Sequence, residues 1–152
     1  MKTAQQWFDE YAVSHQNETN ITIHFICVPA IFFSVIGLLM IIPTTFLENT
    51  FGLYNPLLEN WAALVAIFML IFYLRLGFWY FINMLLVTTL SIIGNYWLSS
   101  FGNLALISLV IFVIAWIGQF YGHKVEGKKP SFLKDLQFLL IGPLWVIKKL
   151  MN

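Results

Sequence analysis

The sequence predicts an all-α membrane protein, a four-transmembrane-helix bundle with an N-terminal interfacial helix and a C-terminal broken interfacial or re-entrant helix. Three observations carry this expectation. Hydrophobic residues make up 60% of the 152 residues and charged residues only 10%, whereas a globular domain uses about 25%. Mean hydropathy is +0.81, so lipid rather than water suits most of the surface. Four apolar runs are of spanning length, which is about 20 residues at ~1.5 Å each. The chain reads as one integral membrane domain over residues 1–152.

Residues 4–15 form a short amphipathic helix in this reading. Thr3 is its N-cap, and Trp7, Phe8, Tyr11 and His15 share the face that would meet the interface. The polar stretch 15–20 breaks the pattern, and Thr19 or Asn20 is placed to cap the first span. The spans are expected near residues 21–43, 57–74, 78–98 and 104–120. Residues 48–60 read as a loop. Arg75 and Gly77 mark a turn tight enough to make the second and third spans an antiparallel hairpin. Residues 132–150 are apolar, but Lys134, Asp135 and Gln137 interrupt them, and then Gly142-Pro143 does. The longest clean run there is too short to span.

Charge orients these elements. With four spans, Lys2, Arg75, Lys124, Lys128, Lys129, Lys134, Lys148 and Lys149 fall on one side, which is every basic residue of the chain. The opposite side holds Glu48 and Glu59. The positive-inside rule makes the basic side cytoplasmic and puts both termini there, as in a multi-pass protein of a bacterial inner membrane or the endoplasmic reticulum.

Composition also excludes functions. A net charge of +1 gives no field for nucleic acid. One cysteine, Cys27, allows no intrachain disulfide. No H-E-x-x-H and no G-x-S-x-G occurs, so zincin proteolysis and a nucleophile elbow have no support. No acid or base lies in mid-span, which leaves a transporter without a coupling group.

The histidines remain. His15 and His24 flank the start of the first span, and His123 lies beyond the fourth. All three therefore share the cytoplasmic face. On one continuous helix, the nine-residue step from His15 to His24 would put the rings on opposite faces, ~13 Å apart along the axis. The cap-forming residues between them supply the break that lets them meet. On the fourth helix, Gln119, His123 and Glu126 recur at i, i+4 and i+7, and Gly122 allows close approach. Three imidazoles with open positions beside them suit iron, zinc or copper. Asn20, Gln119 or Glu126 is the neighbour that would fix ring tautomers or supply a further ligand.

The two stretches together resemble a known family. His15-x4-Asn20-x3-His24-x4-Pro29, with Trp116-Ile117-x-Gln119-Phe120-x-Gly122-His123 and then Glu126 and Pro130, is similar to the small membrane 2-hydroxy fatty acid dioxygenases of fungi and bacteria. The likeness extends over nearly the whole chain. It implies Fe(II) and O2, and a 2-hydroxy fatty acid shortened by one carbon with loss of CO2. It also implies that His15, His24 and His123 are the catalytic metal ligands. On that reading, Lys124, Lys128 and Lys129 are placed to attract the substrate carboxylate. The residues alone leave open a different class, a membrane protein that binds metal or haem for sensing or scaffolding without turnover.

Overall fold

The end of the first helix decides where the first histidine goes. In the computed structural model, which describes residues 2–52, 55–127 and 138–151, α1 runs Ala4–Ala12. It starts as expected: Thr3 Oγ1 accepts from Gln6 N, and Gln6 Oε1 accepts from Thr3 N, a reciprocal capping box. It stops three residues earlier than its apolar face suggests. His15 N bonds the Ala12 carbonyl, not that of Tyr11, while the side chains of His15 and Gln16 take the Tyr11 and Ala12 carbonyls. Side chains thus satisfy carbonyls that another turn of helix would have used.

α2 spans Glu18–Met40. Its cap is Asn17, not Thr19 or Asn20. Asn17 Oδ1 accepts from the backbone N–H groups of Thr19 and Asn20, and its carbonyl accepts from Ile21 N. Pro29 lies inside α2 without ending it. The region 48–60, expected as loop, is helical at its start: a short helix, α3 (Thr45–Phe51), runs into it, seats Leu47 in the interior and closes on Gly52 in the left-handed region at φ 61°. α4 (Trp61–Leu76) is capped by Asn60, and α5 (Phe78–Ser99) begins after Gly77 alone. Gly77 has φ 147°, a conformation open to glycine, and the two helices pack on each other as the expected hairpin. α6 runs Leu104–Val125, five residues beyond the apolar run, and so carries His123 on helix. The last described helix is α7 (Ile141–Leu150). Pro143 does not break it, because it falls in the first turn, where its missing N–H has no helical partner to lose. The expected tail interruption at Lys134, Asp135 and Gln137 lies outside the described residues.

By contacts the chain forms two compact units, residues 1–32 with 111–152, and residues 33–110. In the first, α7 packs against α1, and Ile141 to Val146 are buried. In the second, α5 has the reverse of a soluble helix's pattern. Its buried face includes Thr88, Ser91 and Asn95, while Leu86, Leu90, Ile93 and Trp97 are exposed. Asn95 Nδ2 donates to the carbonyls of Phe33 and Ser91, which holds α5 to the second half of α2.

Among the described residues, three helices (α2, α5 and α6) are long and apolar enough to cross a membrane. Trp97 and Ile114 are about two-thirds exposed, at 64% and 63%. Large apolar surfaces repeated along successive helices suit lipid as their solvent.

Candidate metal centre

All three histidines are buried, with 3%, 1% and 4% exposure for His15, His24 and His123. Their rings meet within the first unit. Centroids are 4.2 Å apart for His15–His24, 5.2 Å for His24–His123 and 5.5 Å for His15–His123. One ligand nitrogen from each lies within 4.8 Å of the others. Among the described residues this is the group of side chains that could hold a metal ion.

The local fold explains each ring's position. His15 turns back on α1, where its Nδ1 lies 2.6 Å from the Tyr11 carbonyl and its ring stacks on Tyr11 at 4.0 Å. His24 Nδ1 lies 2.9 Å from the Asn20 carbonyl, one turn earlier on α2. A carbonyl only accepts, so both Nδ1 atoms carry hydrogen and both Nε2 atoms keep the lone pair. That is the tautomer that coordinates a metal through Nε2. His123 comes one turn after Gln119 on α6, and Gln119 is buried beside the pair.

Glu126 ties the cluster together. Its Oε1 accepts from Gln16 N at 2.9 Å, and its Oε2 accepts from Asn17 N and Asn20 Nδ2, both at 2.9 Å. Asn20 Nδ2 also donates to the Ser14 carbonyl. One carboxylate at the end of α6 therefore clasps the α1–α2 connection that carries His15, over about 110 positions of chain. Burial would raise the Glu126 carboxyl, but the backbone bonds from Asn17 and Gln16 and the amide of Asn20 outweigh it and hold it below the usual carboxylate range. Both oxygens accept from donors of the α1–α2 connection and the first turn of α2, so the carboxylate fixes the backbone between His15 and His24.

Gly122 makes the approach possible. A Cβ there would collide with Asn20 Oδ1 and stand 3.5 Å from His24 Cε1, so the absence of a side chain at this position lets α2 and α6 approach closely beside the histidines. Lys124 is exposed just past His123. Lys128 and Lys129 lie outside the described residues.

The donor set fits a metal. Bonds of ~2.0–2.1 Å to imidazole put ligand nitrogens on one ion roughly 3–3.5 Å apart, so nitrogens within 4.8 Å need to move inward by less than about 1 Å each. Three neutral imidazoles leave coordination positions for other groups. Among the described residues, two spaces adjoin the cluster. One, of about 30 Å³, is lined by His15, His24, Val28, Ile31 and Trp116 among others. The other, open and about 400 Å³, reaches His15 between α1 and α7. Tyr11 and Trp145, which frame His15, do not stand out as site residues in the sequence, because an aromatic in an apolar run looks like packing. The basic pair close after Trp145 is the available signal for the second space.

A helical, lipid-suited chain with a buried three-histidine centre is the class these observations define. The whole chain, residues 1–152, matches the family described as 2-hydroxy-palmitic acid dioxygenase Mpo1-like, and the chain belongs to that family. None of the curated proteins and none of the solved structures compared with the chain matches it.

Proposed function

We propose that this protein is an Fe(II)-dependent dioxygenase that carries out α-oxidation of 2-hydroxy fatty acids, with His15, His24 and His123 as the metal ligands. The observation that carries the reading is the convergence of three buried imidazoles in a chain whose family is described as acting on 2-hydroxy-palmitic acid. The reaction balances without a further reductant: R–CH(OH)–COOH + O2 gives R–COOH + CO2 + H2O. The two carbons lose four electrons and O2 gains four. Zinc has no redox chemistry, so iron is the better match to this balance; when bound, it supplies the activation of O2.

The chain's own residues do the rest. The carbonyls of Tyr11 and Asn20 hold two rings in the ligating tautomer, and Glu126 fixes the loop between them. Gln119 is a polar group lining the small cavity beside His15 and His24, suited to orienting the hydroxyl or carboxylate of a 2-hydroxy acid. Lys124, with Lys128 and Lys129, adds long-range attraction for the anion.

Topology supports an interfacial site. We read α2, α4, α5 and α6 as four spans with α1 and α7 at the interface, which leaves both termini cytoplasmic because it collects every basic residue on one side. α4 has 16 residues, about 24 Å of helix, and spans by local thinning of the bilayer. The acyl chain then stays in lipid while its head meets the metal. Purified protein supplied with Fe(II), O2 and 2-hydroxypalmitate should release an acid one carbon shorter. Metal-loaded protein that forms none would refute the reading.

A further inference from the structure

Resting on that reading, we propose that Lys148 and Lys149 on α7 form the site that recognises the carboxylate of the acyl substrate, at the mouth of the cavity that leads to His15. The cavity of about 400 Å³ is walled by Phe8 and Ala12 of α1, by Trp145, Lys148 and Lys149 of α7, and by His15 between them. Of the two spaces among the described residues that His15 borders, it is the larger, so a head group that enters by it meets His15.

The two ammonium groups are positioned for an anion. Lys148 Nζ sits 4.5 Å from the centroid of the Phe8 ring and donates to Gln5 Oε1 at 2.9 Å. Lys149 Nζ sits 4.9 Å from the Trp145 ring centroid. The aromatic faces hold both cations beside the cavity wall. Among the described residues neither forms an ion pair; the pair present there is Lys2–Glu10. One acid, Asp9, lines the cavity, and Gln5 stands between it and Lys148: Gln5 Nε2 donates to Asp9 Oδ1 at 2.7 Å while Gln5 Oε1 accepts from Lys148. The amide keeps the carboxylate off the lysine, and the cavity retains more positive than negative charge. An ammonium and a carboxylate form a charge-assisted hydrogen bond, stronger than a neutral one. Lys148 and Lys149 thus make direct contact with the head, whereas Lys124 lies on α6 outside this cavity.

The shared chemistry, a lipid-borne anion, is also that of a phospholipid headgroup, so the test separates the two. Binding is measured on metal-free protein in phosphatidylcholine nanodiscs, without O2, by equilibrium uptake of radiolabelled 2-hydroxypalmitate and of its methyl ester, each corrected for partition into empty discs. We expect wild-type protein to prefer the acid by about tenfold or more, as for a hydrogen bond to a charged group. The double variant Lys148→Gln/Lys149→Gln should lose that preference, and Lys148→Arg/Lys149→Arg should keep it. Equal wild-type binding of acid and ester would overturn the proposal even if the glutamine variant failed to fold. So would a glutamine variant that keeps the acid preference, including one that instead loses retention on phosphatidylglycerol vesicles, which would assign the lysines to bilayer lipid. Selective acid binding without any turnover would sink the dioxygenase reading and leave this site standing. Turnover with an acid preference indifferent to the lysines would do the reverse.

Discussion

At the scale of residues, two of the centre's imidazoles, His15 and His24, are anchored to backbone carbonyls, and Glu126 is the residue on which their arrangement turns. Its carboxylate accepts three hydrogen bonds from Gln16, Asn17 and Asn20. Glu126→Gln removes the charge and turns an amide N–H toward donors. We expect a loss of about 1–3 kcal/mol in stability, seen as a lower Tm, and metal affinity weaker by roughly tenfold or more, with full loading recovered at excess metal. Loading that cannot be recovered would mean Glu126 is itself a ligand, and unchanged affinity would mean the clasp does not position the rings. The histidines are legible in the sequence because imidazole is rare here and the chain breaks where it must between His15 and His24. The clasp is not legible, since a contact across about 110 positions leaves no periodic trace. Asn17 is hard to single out as the cap because Thr19 and Asn20 offer the same chemistry two and three residues later.

At the scale of elements, the site depends on how closely α2 and α6 approach. Gly122→Ala would set a Cβ into Asn20 Oδ1, a buried amide already bound on its other side to Ser14 and Glu126. Overpacking of this kind costs about 1–3 kcal/mol, and the displaced Asn20 carries the carbonyl that orients His24. The variant should therefore lose both thermal stability and metal content. Gly102→Ala, which meets only Ile107 Cδ1 at 3.6 Å, is the matched control and should change neither. If Gly122→Ala bound metal as tightly as wild type, the close approach would be incidental to the centre. Helix positions can be read well from apolar run length, and the Gly77 turn from its residue type. Helix ends are read poorly. α1 ends early because the side chains of His15 and Gln16 take its last carbonyls, and α6 runs on because Tyr121 to Val125 lose no backbone partner by staying helical. Gly142-Pro143 looks like an interruption, yet the helix begins just before it.

At the scale of the whole molecule, polar side chains such as Asn95 and Thr88 are inside while large apolar ones such as Leu90, Trp97 and Ile114 face outward, the pattern expected when the solvent is hydrocarbon. The four-span proposal predicts that reporter fusions after residue 152 and in the Arg75–Phe78 turn behave as cytoplasmic, and one in the segment 48–59 as external. An external C-terminal fusion would break the four-span reading. The central claim is that His15, His24 and His123 hold one redox-active ion that turns over a 2-hydroxy acid. It is tested most directly by iron analysis of anaerobically purified protein, then by mass spectrometry of the products formed from 2-hydroxypalmitate and O2. Wild-type protein should carry about one iron per chain, as a single site of open coordination would, and yield the acid one carbon shorter, while His123→Ala should lose both. Iron-replete protein that consumes no substrate, or a His123→Ala variant that still turns it over, would contradict the account.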